Sequence, residues 1–464
     1  MTTSVLWLRR DLRLADSPAL LAARDAGDHV VPLFVLDDAL RRPLGPVRLA
    51  FLYRCLRELE ERTDGALRVV TGRPEDVVPR VVRDTGATSV HVSSDHAPYG
   101  RQRDERVRQA LGRLDPAVPL VATGSPYGVT PGVLRKADGE PYRVYSPYFR
   151  AWRDRGVHSP AIIPRAVPWH DGDLPSDGVP PDPDVGGVEL PPAGERAALE
   201  RWRHYRATGL SAYAETRDAP AADGTSVMSG YLKYGCIHPR TMLADLGDDP
   251  SAGSGAQRLR GELAWRDFYA DVLWHRPSSA REELLPSMAA LEYDEGAEAD
   301  RRFEAWATGR TGYPFVDAGM RQLLGEAWVH NRVRMVVASF LVKDLHLHWR
   351  RGARHFMRHL RDGDLASNQH GWQWVAGTGT DPAPYFRVFN PVTQGKEHDP
   401  DGVYIRRWVP ELRDVEGRAV HEPWTLRALP AGYPERVVDH KSEREEALRR
   451  YAATKAATKA AARP

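Results

Sequence analysis

Several things are scarce in this chain, and each scarcity removes a class of explanation. Only two cysteines, Cys55 and Cys236, occur in 464 residues, without metal or thiol-redox spacing, so a disulfide framework or zinc ribbon is excluded. No run approaches the roughly 18 apolar residues of a membrane span. The opening MTTSVLWLRRDLRL meets arginines too early for a secretory leader, and a cytoplasmic protein without membrane contact is expected. No GxGxxG follows the first apolar strand, and Gly377-Thr378-Gly379-Thr380 lacks the lysine of a P-loop, which disfavours an ordinary dinucleotide site and nucleotide hydrolysis. His355 and His359 stand at i, i+4 without a third ligand in reach, so no metal centre is expected. Lysine is scarce too: seven of the 65 basic residues, the other 58 being arginine. A guanidinium fork suits bidentate phosphate contacts better than an ammonium does.

What is present is an ordinary globular composition, 42% apolar, with room for two or three domains. Apolar runs at 4–8, 29–36, 67–71 and 89–93 alternate with helical patterns at 18–26, 47–62, 75–85 and 102–114. That alternation predicts a doubly wound parallel sheet, whose ligands would sit at the carboxyl ends of the strands, near Arg9, Arg10, Asp11 and Ser93 to Asp95. From Pro126 the pattern dissolves. Nine prolines between Pro160 and Pro192 cannot build a core, so a surface-wrapping connector is expected. After Glu195 the signals are helical, including one long helix over 331–349, and the Ala-Thr-Lys tail after Ser442 reads as a fraying helix. The fold class is therefore α/β plus all-α: an α/β domain over 1–126, a connector over 127–194 and a helical domain over 195–464.

The chemistry concentrates between His330 and Pro391. Eight Lys or Arg stand against one acid, Asp344, from His330 to Arg361, while the whole chain carries only +2. Such a concentration suits a phosphate-facing surface or a solvated helix face. Trp349, Trp372 and Trp374 lie among these cations, as in sites that stack extruded bases. Gly224-Thr225-Ser226-Val227-Met228-Ser229-Gly230 offers hydroxyls at a helix start, suited to an anion or to simple capping. Glu262, Trp265, Arg266 and Tyr269 share one helical stripe, which is either a packing face or a polar wall. Asp362 and Asp364 would pair with arginines or hold a metal.

In order along the chain, WLRRDLRLADSPAL from Trp7, GTSVMSGYL from Gly224, ELAWRDFY from Glu262, TGYPFVDAGMRQL from Thr311, WVHNRVRM from Trp328 and DGDLASNQHGWQWVAGTGTDPAPYFRVFNP from Asp362 closely resemble the photolyase/cryptochrome family. The nearest likeness is to its microbial class I cyclobutane pyrimidine dimer photolyases. It implies an N-terminal domain for an antenna chromophore and a helical domain holding FAD. Tyr213, Thr225, Ser226, Val227, Met228 and Ser229 would border the flavin, with Glu262, Arg266, Asn331, Arg334, Asp362, Asp364 and Asn368. Val227 and Gly230 depart from the family's usual residues there.

The resemblance further implies that Asn368 lies beside flavin N5, that Glu262 bonds the polar edge of a flipped-out dimer, and that Trp265 and Trp374 wall it. Photolyases are known base flippers. Members that repair (6-4) photoproducts carry histidine where this chain has Asn331 and Met335, so a cyclobutane dimer is expected, with Met335 in the catalytic set. Arg217, Arg266, Arg332 and Arg387 match the DNA-facing rim. Trp372 and Trp349 match the photoreduction relay; its outermost tryptophan is missing, Tyr293 falling near that place and Trp306 matching a different tryptophan, so the third member is either Trp306 or Tyr293. Arg48 and Asp95 match antenna contacts of the 8-hydroxy-5-deazaflavin kind, with methenyltetrahydrofolate the alternative. The implied activity is light-driven lyase repair of ultraviolet-damaged DNA, double- or single-stranded, by a monomer; the alternative is a blue-light photoreceptor without repair.

Overall fold

Strands β1 (Thr3–Leu8), β2 (His29–Leu36), β3 (Arg68–Thr71), β4 (Ser89–Val92) and β5 (Leu120–Ala122) form one parallel sheet in the order β3-β2-β1-β4-β5. The computed structural model describes residues 1–464 apart from 163, 165, 248–253, 381–385 and 462–464. All six residues of β1 are buried, because helices cover both faces and leave no wet side for polar alternation. The crossover helices Pro18–Ala26, Pro46–Arg62, Pro74–Thr85 and Pro98–Leu111 each begin on proline, where the missing N–H removes no helical bond. The chain reverses direction across the sheet between β1 and β4, which puts Arg9, Arg10 and Asp95 at the switch point.

The connector is less bare than its composition suggests. A helix, Tyr145–Arg155, lies within it and packs on the long helix Gly255–His275. Its apolar positions Tyr148 and Trp152 repeat at i, i+4, a period too brief to stand out among the polar residues around it. The proline-rich stretch follows the sheet: Val30 N donates to Pro168 O at 2.8 Å, and Asp177 N to Val69 O at 2.7 Å.

Two helical expectations are corrected. The helix expected over 331–349 ends at Ser339, widens into a π-helical turn over Phe340–Asp344, and a separate helix, Trp349–His359, begins after a break at His346. Tertiary partners override the local period here. Asp344, fully buried, accepts a hydrogen bond from His440, and the buried Lys343 ammonium donates to the Arg387 carbonyl. The cationic run is consequently no single surface, since Lys343 and Arg361 are buried while Arg350, Arg354 and Arg358 are exposed. Over its described residues the tail is no frayed end either. His440–Ala461 is one helix, Tyr451 stacks on Phe386 at 4.2 Å, and Thr458 donates to Ser287 O at 3.0 Å.

The α/β and helical halves share one core. Phe51 packs against Tyr231 and Tyr234 across the seam, and the Cys55 and Cys236 sulfurs lie 3.6 Å apart. At Gly235 (φ 68°) the approach is so close that a Cβ would fall 1.9 Å from the Arg10 carbonyl oxygen. Gly235→Ala should therefore lose both the left-handed backbone and the seam, destabilising by at least ~2 kcal/mol, read as a shifted urea midpoint; an unchanged midpoint would refute so tight a seam.

Candidate active site

One cavity of about 510 Å³ opens in the helical half, within the size range of cofactor sites. Its polar wall begins in the loop 224–229. Arg201 donates to the Thr225 and Ser226 carbonyls at 3.1 and 3.0 Å, and the Tyr205 hydroxyl donates to the Gly224 carbonyl at 3.2 Å. Three successive carbonyls are thus taken, while the Thr225, Ser226, Val227, Met228 and Ser229 side chains line the cavity with Tyr213. Val227 holds φ 54°, a strained conformation for a β-branched residue.

The floor is the loop Asp362-Gly363-Asp364. Arg334 Nη2 meets Asp362 Oδ2 at 2.8 Å, Arg48 Nη1 donates to the Gly363 carbonyl at 3.0 Å, and Arg10 Nη2 meets Asp364 Oδ2 at 2.6 Å. Asp364 also caps the helix Leu365–Ala376, accepting from Ser367 N at 3.1 Å. Burial pushes the Asp362 carboxyl up, but Arg334 overcomes this and holds it below the usual carboxylate range. At Asp364 burial is likewise outweighed, by Arg10 and then Lys233 and Arg266, which hold it well below that range. Both acids are therefore charged at neutral pH. Lys233, which sequence reasoning passed over, also lines the cavity; burial and Arg10 push its ammonium down to about 7.

The helix Leu365–Ala376 carries Asn368, Trp372 and Trp374 to the cavity. Asn368 donates both amide hydrogens, to Ala353 O at 3.1 Å and Gln369 Oε1 at 2.9 Å, so its carbonyl oxygen is what it has left to offer a ligand. Opposite, Gly255–His275 presents Glu262, Trp265 and Arg266. Arg217 meets Glu262 at 2.8 Å, yet burial still pushes the Glu262 carboxyl above its ordinary value. The Trp265 indole lies on the Tyr145 ring, centroids 3.6 Å apart and planes 8° from parallel.

Of the residues singled out in the sequence, the cavity gathers Tyr213, Arg217, Thr225, Ser226, Val227, Met228, Ser229, Glu262, Trp265, Arg266, Asn331, Arg334, Met335, Asp362, Asp364, Asn368, Trp372 and Trp374. Trp306 and Trp349 are fully buried behind it. Trp306 meets Trp372 edge-on at 6.0 Å, so it neighbours the inner tryptophan and does not reach the surface; Trp349 donates to Glu283 at 3.1 Å, beside His348 and Tyr293. Arg332 pairs with Asp218 at 3.0 Å, and Arg387 stacks over Phe389 at 4.9 Å. Residues 381–385 of the long motif lie outside the described residues.

Of the two expected antenna contacts, Arg48 is buried and donates to the Gly363 carbonyl, and half-buried Asp95 pairs with Arg103 at 3.2 Å; the void bordered by Arg9, Arg10, Ser93, Asp95 and Pro126 measures about 10 Å³. Arg48 thus finds a carbonyl partner and Asp95 an ionic one inside the protein. Among the described residues no group of three or more His, Cys, Asp or Glu gathers to hold a metal ion, and no helix is long and apolar enough to cross a membrane.

Because its folded pKa is depressed, Asp364 contributes stability that is present above the unfolded value near 4 and lost as pH falls through the folded one. Asp364→Asn should be less stable by about 3 kcal/mol at pH 7, the gap to the parent narrowing below about pH 4. Urea midpoints across that range check it, and a gap constant with pH would contradict it.

Comparison with known proteins follows the same lines as the geometry. The family profile described as DNA photolyase matches residues 4–165, and that described as the FAD binding domain of DNA photolyase matches residues 259–453. A deoxyribodipyrimidine photo-lyase of Streptomyces griseus is 41% identical, the match covering 95% of this chain and 97% of the relative; that of Thermus thermophilus is 42% identical over 88% and 92%. Among solved structures, a class III photolyase from Agrobacterium tumefaciens superposes with a TM-score of 0.92 at 34% identity, covering 98% of each chain. A cryptochrome from Synechocystis superposes at 0.88 and 28%, covering 97% of this chain and 99% of its own. Likeness of this extent, over both halves of the chain, makes it a member of the DNA photolyase family.

Proposed function

We propose that this protein is a deoxyribodipyrimidine photo-lyase that splits cyclobutane pyrimidine dimers in ultraviolet-damaged DNA. One observation carries the reading: Glu262, Trp265, Asn368 and Trp374 border a single cavity whose floor is the Arg334–Asp362 pair. FAD fits the donor set, with hydroxyls and an arginine along one wall and aromatic and aliphatic side chains along the other. When bound in its reduced form it supplies, on absorbing light, one electron that opens the cyclobutane ring and then returns, so no net oxidation results.

The chain's residues do the rest. Tyr213, Thr225, Ser226 and Ser229 hold the phosphates and sugars, and the Arg334–Asp362 pair fixes the ring system's polar edge. The Asn368 carbonyl oxygen offers a neutral acceptor at the flavin, where a carboxylate would repel the anionic reduced form. Glu262, its pKa raised by burial, bonds the dimer's polar edge. Trp265 and Trp374 stack on the extruded bases, each worth roughly 1–3 kcal/mol, which offsets the few kcal/mol that unstacking costs. Arg217, Arg332 and Arg387 meet phosphates at the rim. Asn331 and Met335, standing where proton-donating histidines would serve (6-4) repair, favour the cyclobutane lesion. Trp372 and Trp349 would relay electrons inward to reduce the flavin, with Tyr293 beside His348 a better outer donor than the enclosed Trp306.

Since Arg48 and Asp95 have protein partners, an antenna of the 8-hydroxy-5-deazaflavin kind, or methenyltetrahydrofolate as the alternative, is assigned no contact residues. A Sulfolobus tokodaii photolyase, 28% identical with a TM-score of 0.84, is described with two FAD molecules and the implication of a novel light-harvesting cofactor.

Ultraviolet-irradiated oligo(dT) given the FAD-loaded, reduced protein should regain its ultraviolet absorbance under blue light and not in the dark. A flavin-coloured preparation without recovery would instead be a photoreceptor. Trp265→Ala should weaken binding of the irradiated oligonucleotide by roughly 1–3 kcal/mol with flavin content unchanged, by gel-shift titration; equal affinity would mean that this indole does not wall the lesion.

A further inference from the structure

We propose that Tyr145, from the connector helix, is a positioning residue for substrate binding: its ring backs the Trp265 indole and fixes the plane on which an extruded pyrimidine stacks. The inference rests on the photo-lyase reading of the cavity and adds a residue that reading does not contain. Among the described residues, Trp265 has three aromatic neighbours. Phe268 and Tyr269 belong to its own helix and touch it at an angle, 5.6 Å away at 72° and 5.3 Å away at 45°. Tyr145 alone comes from another element and covers a face, at 3.6 Å and 8°. Trp265 lines the cavity and Tyr145 does not, so the phenol stands behind the indole.

The backing ring is itself held. Its hydroxyl donates to the Gly261 carbonyl at 2.8 Å, one helical turn before Trp265, so the same helix supplies both the anchor and the surface being backed. Position 261 is glycine, and a Cβ there would already stand 3.5 Å from the Tyr145 hydroxyl; longer side chains would push the phenol off its seat. Phe149, one turn on along the connector helix, lies behind Tyr145 at 5.6 Å and 16°. Phe149, Tyr145 and Trp265 thus form a ladder of near-parallel rings whose next rung is a base. An indole fixed in advance spares the bound complex the entropy of ordering it, whereas one packed only by its own helix would have other rotamers open to it.

The test uses the full-length, FAD-loaded protein and ultraviolet-irradiated oligo(dT), with affinity measured in the dark and repair under blue light. Tyr145→Ala should bind roughly three- to tenfold more weakly, in keeping with the worth of an aromatic pair, with flavin content retained and the loss lying in Kd more than in turnover at saturating DNA. Tyr145→Phe keeps the ring and should stay within about twofold of the parent. Parent-like affinity in Tyr145→Ala beside weakened Trp265→Ala would overturn the positioning role and leave the photo-lyase reading standing. Parent-like affinity in Trp265→Ala would bring down both. Equal losses in Tyr145→Phe and Tyr145→Ala would assign the effect to the hydroxyl and overturn the ladder. Should Tyr145→Ala lose flavin, Tyr145→Leu, which restores volume without a flat ring, takes its place with the same expectation, and parent affinity there overturns the proposal.

Discussion

Three guanidiniums gripping three consecutive residues are the constraint on which the site depends. Asp362, Gly363 and Asp364 are held by Arg334, Arg48 and Arg10, two of them from the α/β half. The loop they fix opens the helix that delivers Asn368, Trp372 and Trp374. A shift of this loop would move every ligand-facing group on that helix together. Burying such charges is costly unless each is paired, and the pairing here crosses the seam, so the two halves are bound by the same contacts that shape the cavity floor. Gly363 is part of that economy of space, since a Cβ there would fall 2.6 Å from Arg48 Nη1.

Much of this was legible beforehand. Four of the five strands and the crossover helices follow from local apolar period and turn chemistry, and their bounds agree with those seen to within a few residues; the short, half-exposed β5 went unread, and the helix expected over 102–114 begins at Pro98. The cavity residues were legible as short motifs, because a hydroxyl-rich loop, an acidic pair about a glycine and a Trp-Gln-Trp triplet are uncommon neighbours. What local pattern cannot carry is who meets whom across the chain. Arg10 stood at the expected ligand-binding end of β1 and turned out to serve a carboxylate 354 residues away. Arg48 and Asp95 suited an antenna on paper, and protein partners took both.

The misread helices have one cause. From 331 to 349 the sequence supports continuous helix, but Lys343 and Asp344 have to reach Arg387 and His440, and the widened turn over Phe340–Asp344 lets them do so. The same contact gives the carboxyl-terminal helix its seat, which is why a segment of simple Ala-Thr-Lys composition is ordered. In the connector, proline content concealed a helix whose aromatic face is matched to Gly255–His275. Composition describes what a segment is able to bury on its own; it is silent on what a neighbour will bury for it.

The two cysteine sulfurs that meet across the seam, 3.6 Å apart and both enclosed, make this chain its own sensor of breathing. The hydrogen bond to Cys55, with burial, raises the Cys236 thiol well above its ordinary pKa, so little Cys236 thiolate exists while the halves stay closed. A thiol-directed label can enter only when they separate. Since these are the chain's two thiols, the labelling rate reports the opening of that one joint without any engineered probe.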